Sequence, residues 1–185
     1  MGTDEFATRV QKDLNILKEK GMSEQVRSLE ESNNKHTIKS SETINSTDPG
    51  EENENIISNG MGCGTTIRYN PNRTETEGWE RSAVVGLAHE TQHAYEMDKG
   101  IYDKRTVTCR LIDIFCSRWD SGVKKMTIDL PFGGQFDFYY KVIKEKNIER
   151  GEYSAVQAAN KVYSALGGNN PRKTFDGFPI KQLSR

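Results

Sequence analysis

The 185-residue chain is 34% hydrophobic and 29% charged, with a formal net charge of −1 and a pI near 6.3. That is enough chain for one buried core and too little positive charge to neutralise a phosphate backbone, so one domain over 1–185 is expected and nucleic-acid binding is not. "MGTDEFATRVQKDL" carries acids early and no apolar stretch of signal-peptide type, and no run is long enough to span a bilayer, so neither an export signal nor a membrane partner is expected. Cys63, Cys109 and Cys116 are odd in number and lack C-x-x-C spacing, which predicts free thiols.

In chain order, Phe6, Val10, Leu14 and Leu17 form one stripe of an amphipathic helix over 4–20, stopped by Gly21. A short second helix is expected over Ser23 to Glu31 with Ser23 as N-cap. Residues 31–64 form a tract rich in Ser, Asn, Thr and Gly, with room for a short strand in "KHTIKSS" and a mobile stretch from Asp48 to Glu54. "TTIRYNP" alternates like a strand and turns at Asn70-Pro71. The "GMGCGTT" before it precedes a strand rather than a helix and lacks the lysine of a phosphate loop. Residues 72–80 read as a polar connection. From Ser82 to Lys99 the pattern is helical, with Val85, Leu87, Ala88 and Ala94 inward and Gly100 as the stop. "TVTCRLIDIF" is read as a helix and "DLPFGGQFDFYYKVI" as a turn entering a helix or strand. "GEYSAVQAANKVYSALGG" is a helix, and the tail "NNPRKTFDGFPIKQLSR" is irregular. The balance is α+β.

The chemistry lies in "HETQH". Residues four apart stack on one helix face, so His89 and His93 aim at a common point suited to two ligands of a tetrahedral zinc. Glu90 points to an adjacent face, from which its carboxylate can deprotonate a water attacking a carbonyl. The competing reading is two surface histidines without metal. The apolar approach "AVVGLA" and the small Ala88 and Ala94 beside the motif favour Zn2+. Two histidines leave the ligand set incomplete, and the third ligand must be His36, an Asp or a Glu. Trp79 and Trp119 flank the motif and either line a cleft or fill core. "TTIRYNP" is the strand on whose edge an extended peptide can pair.

Four segments, "GTDEFATRVQKDLNILKEK", "GCGTTIRYNP", "VVGLAHETQHAYEMDKG" and "GEYSAVQAAN", resemble in order the NleD-like effector metalloproteases. That group includes type III effectors and toxin domains at the C-termini of Rhs-repeat proteins. The resemblance runs over residues 2–176. It implies an α+β zincin-like fold, a monomeric zinc endopeptidase delivered into a target cell, a protein substrate bound as an extended segment, and a cognate immunity protein as partner. It also implies that Glu152 is the third ligand, with Glu149 next. Gly151 and Ala159 stand where the family has glutamates, Val156 and Asn160 match its apolar and asparagine positions, and Arg172 with Phe175 replaces an arginine-to-tyrosine signature. The missing phenol directs attention to Tyr153 as oxyanion donor, with Tyr139, Tyr140 and Tyr163 also available. The departures leave open a binding module that has lost turnover; a metal-free interaction domain is the third class.

Overall fold

A computed structural model describes residues 3–50, 56–113, 119 and 121–182. Helix α1 (Thr3–Leu17) presents the predicted stripe: Val10 and Leu17 are buried, with Phe6 and Leu14 packed against the same core. Asp13 is buried as well, because it accepts hydrogen bonds from Tyr69 Oη at 2.8 Å and Arg9 Nε at 2.9 Å. The chain kinks over Lys18–Met22, where Gly21 adopts φ 102°, and re-forms as α2 (Ser23–Glu30). Ser23 is itself helical and caps nothing: the helix enters through Met22 without a side-chain cap.

Three strands follow from the polar tract and its neighbour: β1 (His36–Ser40), β2 (Ser46–Pro49) and β3 (Thr65–Tyr69). The sheet order is β1-β3-β2, with β1 parallel and β2 antiparallel to β3. β3 is therefore central, and β2 forms an edge, which corrects the expectation that "TTIRYNP" offers a free edge. Asp48 and Pro49 belong to a strand rather than to a mobile stretch, and residues 51–55 lie outside the described residues. The alternate residues Thr65, Ile67 and Tyr69 of β3 are all buried, which places one face of this strand on the core.

The polar connection is a two-residue hairpin, β4 (Glu75–Thr76) against β5 (Trp79–Glu80). Helix α3 (Ala83–Asp98) then crosses the core. Val85, Leu87, Ala88 and Ala94 are fully buried, as expected, but so are most of its other residues, including Glu90, Thr91, His93, Glu96 and Asp98. Its far end is tied down by Asp98, whose carboxylate accepts from Ser32, Asn34, Lys99 and His36. Burial pushes that carboxyl up, yet these four donors outweigh it and hold it below the usual carboxylate range.

"TVTCRLID" is a strand, β6 (Thr106–Asp113), not a helix. Thr, Val and Ile favour the pleated form, and burial alternates along it. With β7 (Val123–Asp129) and β8 (Gln135–Glu149) it makes an antiparallel sheet of order β6-β8-β7. The last two residues of "RLIDIF" and Cys116 fall outside the described residues. β8 leads directly into α4 (Gly151–Ala165), which packs on α3 and on the kink at Gly21, whose carbonyl accepts from Lys161 Nζ at 2.7 Å. The tail forms a second small hairpin, β9 (Thr174–Phe175) with β10 (Phe178–Pro179), and a short 3-10 turn over Ile180–Gln182. Cys63 and Cys109 are buried free thiols. No helix is long and apolar enough to cross a membrane among the described residues.

Candidate metal centre

One turn of α3 and the first turn of α4 meet at a single point. His89 and His93 lie four residues apart on α3, and their Nε2 atoms stand 3.1 Å apart. Glu152 Oε2 lies 3.2 Å from His89 Nε2 and 3.4 Å from His93 Nε2. Four ligands placed about 2.0–2.1 Å from a zinc ion in a tetrahedron are about 3.3 Å from one another. The three observed separations bracket that edge length, so the donor set fits the ion. Glu152 Oε2 is buried with no hydrogen-bond donor other than these imidazoles, which is the state of a carboxylate oxygen reserved for a cation.

The electrostatics agree. Burial raises the Glu152 carboxyl, but hydrogen bonds and charge from His89 and His93 prevail and hold it far below the usual carboxylate range. The first turn of α4 adds the positive end of a helix dipole at the same carboxylate. For His93, burial lowers the imidazole pKa, and Glu152, Glu90 and Glu96 together more than reverse that, so the net shift is upward.

Glu90 is 7% exposed and lines the same cleft, on the face adjoining the histidines. The Thr47 hydroxyl donates to its Oε2 at 2.9 Å and to its main-chain oxygen at 3.0 Å, so the edge strand β2 fixes the carboxylate. The cleft holds about 490 Å³. Its far rim is made by the two small hairpins, whose turns touch: Glu77 accepts from Asp176 N at 2.8 Å and pairs with Arg172 at 3.0 Å. Asn160 holds that rim from α4, its amide bonding Arg172 N at 2.7 Å and Arg172 O at 2.9 Å. The Arg172 guanidinium lies over the Phe175 ring at 4.9 Å, and Phe175 in turn stacks at 6.3 Å on His89.

Other expectations divide. Glu149 stands away from the three donor atoms, its carboxylate accepting from Tyr102 Oη at 2.8 Å. His36 is engaged at the far end of α3 by Asp98 and Thr65. Tyr153, one residue beyond Glu152, turns to another face of α4 and packs with Cys109, Ile148 and Phe178, so it does not line the cleft. Tyr163 packs against Trp79 with its ring tilted, the centroids 4.9 Å apart, and Tyr139 and Tyr140 lie on β8. The tyrosine at the cleft is Tyr102, whose ring edge meets His93 at 5.6 Å. It stands outside the motif and no spacing rule marks it. Trp79 borders the cleft, while Trp119 is 81% exposed.

An α+β protein that brings two helical histidines and a glutamate to one point, beside a buried second glutamate in a cleft, has a donor set close enough to hold a metal ion and a carboxylate placed beside it, the arrangement that metal-dependent hydrolysis requires. Consistent with this, a peptidase family model, M91, described as "Effector protein", matches residues 1–110, and the chain belongs to this family of NleD-like effector peptidases. The matched part contains α3 and its H-E-x-x-H motif and ends before α4, so the position of Glu152 rests on the three-dimensional arrangement. No curated protein and no solved structure matches the chain.

Proposed function

We propose that the protein is a zinc-dependent endopeptidase of zincin-like architecture, acting as an effector or toxin domain delivered into a target cell. His89, His93 and Glu152 would hold Zn2+, which supplies Lewis acidity toward the scissile carbonyl and acidifies water. Glu90 takes the proton of the water as its oxygen bonds to the carbonyl carbon, and returns it to the amine as the C–N bond breaks. Thr47 keeps the Glu90 carboxylate aimed at that position. Arg172, whose buried Nε has no acceptor, is the donor suited to the developing oxyanion in place of a phenol. The open edge of β2 accepts an extended segment of a protein substrate by backbone pairing.

The observation that carries this reading is the convergence of three metal-ligating atoms at tetrahedral spacing in the cleft that also contains Glu90. The test is metal analysis of the purified chain combined with cleavage of a proteome-derived peptide library. One zinc per chain, with cleavage lost in Glu90→Gln while zinc stays bound, is expected. Zinc content near zero contradicts the reading, and bound zinc without cleavage identifies instead a binding module that has lost turnover.

A further inference from the structure

Strand β8 is paired on both sides over only part of its length. β6 ends at Asp113, opposite Lys141, and β7 begins at Val123, opposite the same residue on the other edge. From Lys141 back to the turn, β8 pairs with β7 alone among the described residues, and the two form a ribbon roughly 20 Å long. Its turn is closed by Leu130 N–H donating to Gly134 O and Gly133 N–H donating to Leu130 O, both at 3.0 Å, with Gly133 and Gly134 at positive φ. A two-stranded ribbon of this kind is marginally stable in water unless one face is covered.

Residues directly opposite in an antiparallel pair share a face, which sorts the ribbon into two unlike sides. One side is polar and satisfied within itself: Lys125 pairs with Asp137 at 2.8 Å, Thr127 donates to Asp137 at 2.9 Å, and Gln135 donates to Asp129 at 3.1 Å. The other sets Met126 against Phe138 and Ile128 against Phe136, with Leu130 next in line and Phe132 fully exposed at the apex of the turn. Met126, Ile128, Leu130 and Phe136 are each about half exposed. Toward the body this apolar face ends in the pair Lys124 and Tyr140, whose ring stacks on Phe138 at 6.2 Å, and Lys141 follows at the base of the ribbon. Neither Lys124 nor Lys141 is paired with an acid among the described residues.

Size and chemistry decide what covers this face. It measures about 20 Å by 10 Å and, doubled for side-chain relief, offers about 400 Å², against about 800 Å² per partner in a stable protein interface. Such interfaces also carry about one hydrogen bond per 100–200 Å². Between the turn and the Lys124 and Tyr140 pair, the face has no side-chain nitrogen or oxygen with which to make one. A bilayer requires neither the area nor the hydrogen bonds. It takes apolar side chains first and then, at its headgroups, tyrosines and cations, which is the order met along this face from turn to base.

We propose that the β7–β8 ribbon is a surface anchor for an anionic bilayer, in which Phe132, Leu130 and the apolar face enter the lipid and Lys124 and Lys141 meet its phosphates. The polar side stays in water. The expectation of no membrane partner rested on the lack of a bilayer-spanning run; a surface anchor needs none, and its apolar face is assembled across two strands, so no single segment displays it. The ribbon shares no residue with the cleft, so the anchor stands apart from the peptidase reading.

The test is flotation of the full chain with vesicles of phosphatidylcholine alone and of phosphatidylcholine containing about 30% phosphatidylserine. The chain should float with the anionic vesicles and bind the neutral ones about tenfold or more less tightly, since each lysine near the surface is worth about fivefold. Lys124→Gln combined with Lys141→Gln should remove that difference. Phe132→Asp should weaken binding to the anionic vesicles by about tenfold or more, and because Phe132 is fully exposed the fold is untouched. Gln135→Ala, on the polar side, should bind as the parent does. No flotation with the anionic vesicles overturns the proposal; a dimer in sedimentation that Phe132→Asp dissociates then assigns the face to a second copy. Flotation undiminished in Phe132→Asp, flotation lost equally in Gln135→Ala, or equal binding of the parent to both vesicle types also overturns it.

Discussion

Gly151→Ala probes the support of the metal centre from outside it. The position opens α4 directly before Glu152, and a Cβ there would lie 2.5, 2.8 and 3.1 Å from three carbons of the Tyr102 ring. Ordinary contact begins near 3.5 Å, so the ring must retreat by about 1 Å, and overpacking of that size costs roughly 1–3 kcal/mol. Alanine returns at most about 1 kcal/mol of helix propensity. The net expectation is a loss of about 1–2 kcal/mol, or a fall of about 2–8 °C in Tm for a chain of this size. Because the same ring meets the edge of His93 at 5.6 Å, zinc affinity should fall too, by about tenfold on the scale of contacts that orient metal ligands. Calorimetry and competition with a chromophoric chelator measure the two effects. With Tyr102→Ala in the background, Gly151→Ala should become neutral or stabilising. An unchanged Tm and unchanged zinc affinity in the single variant would refute the claim that Tyr102 fills this space, and with it the reason for glycine at this position.

Exchange of the two neighbouring acids separates the ligand from its neighbour: Glu152→Ala should lose stoichiometric zinc, whereas Glu149→Ala, which removes only the acceptor of the Tyr102 hydroxyl, should keep it. The opposite pattern in metal analysis means that the ligand is Glu149. Thr47→Val should leave zinc bound and lower kcat several-fold, since it frees the Glu90 carboxylate without touching a ligand; unchanged kcat removes Thr47 from the account. Asp98 has a depressed folded-state pKa, so its contribution to stability is complete above the ordinary carboxylate value and is lost as the pH falls through the lowered one. Asp98→Asn should be less stable than the parent by about 1–3 kcal/mol at pH 7, and the gap should narrow below about pH 4; a gap that does not depend on pH contradicts the assignment.

The wall of the cleft that reads most directly from sequence is α3, because its spacing of His89, Glu90 and His93 and its apolar approach are local signals. The opposite wall is short and polar. Asn45 and Thr47 lie in a tract without period, since β2 is an edge strand of only four residues. The two hairpins at the rim have two-residue strands, too short to alternate, but each carries the mark of its turn. Glu77-Gly78 has φ 52° and 74°, and Asp176-Gly177 has φ 56° and 80°, both positive pairs of the primed kind for which Asp-Gly is the usual signal. "FDGF" was therefore readable as a hairpin. Thr106–Asp113 misleads for another reason: a short run with apolar residues at both spacings satisfies either period, and its β-branched Thr, Val and Ile decide for a strand. Glu152 depends on a helix contact some 60 residues downstream of α3, which the sequence order alone does not place.

The central claim is that Glu90 acts on a peptide bond beside a metal held by His89, His93 and Glu152. It is tested most directly by mapping new protein termini in target-cell lysate incubated with the zinc-loaded chain and, in parallel, with Glu90→Gln verified to retain one zinc. New termini with the parent, reduced by roughly 10²-fold or more with Glu90→Gln at equal zinc content, are the predicted result. Equal cleavage by both proteins contradicts it.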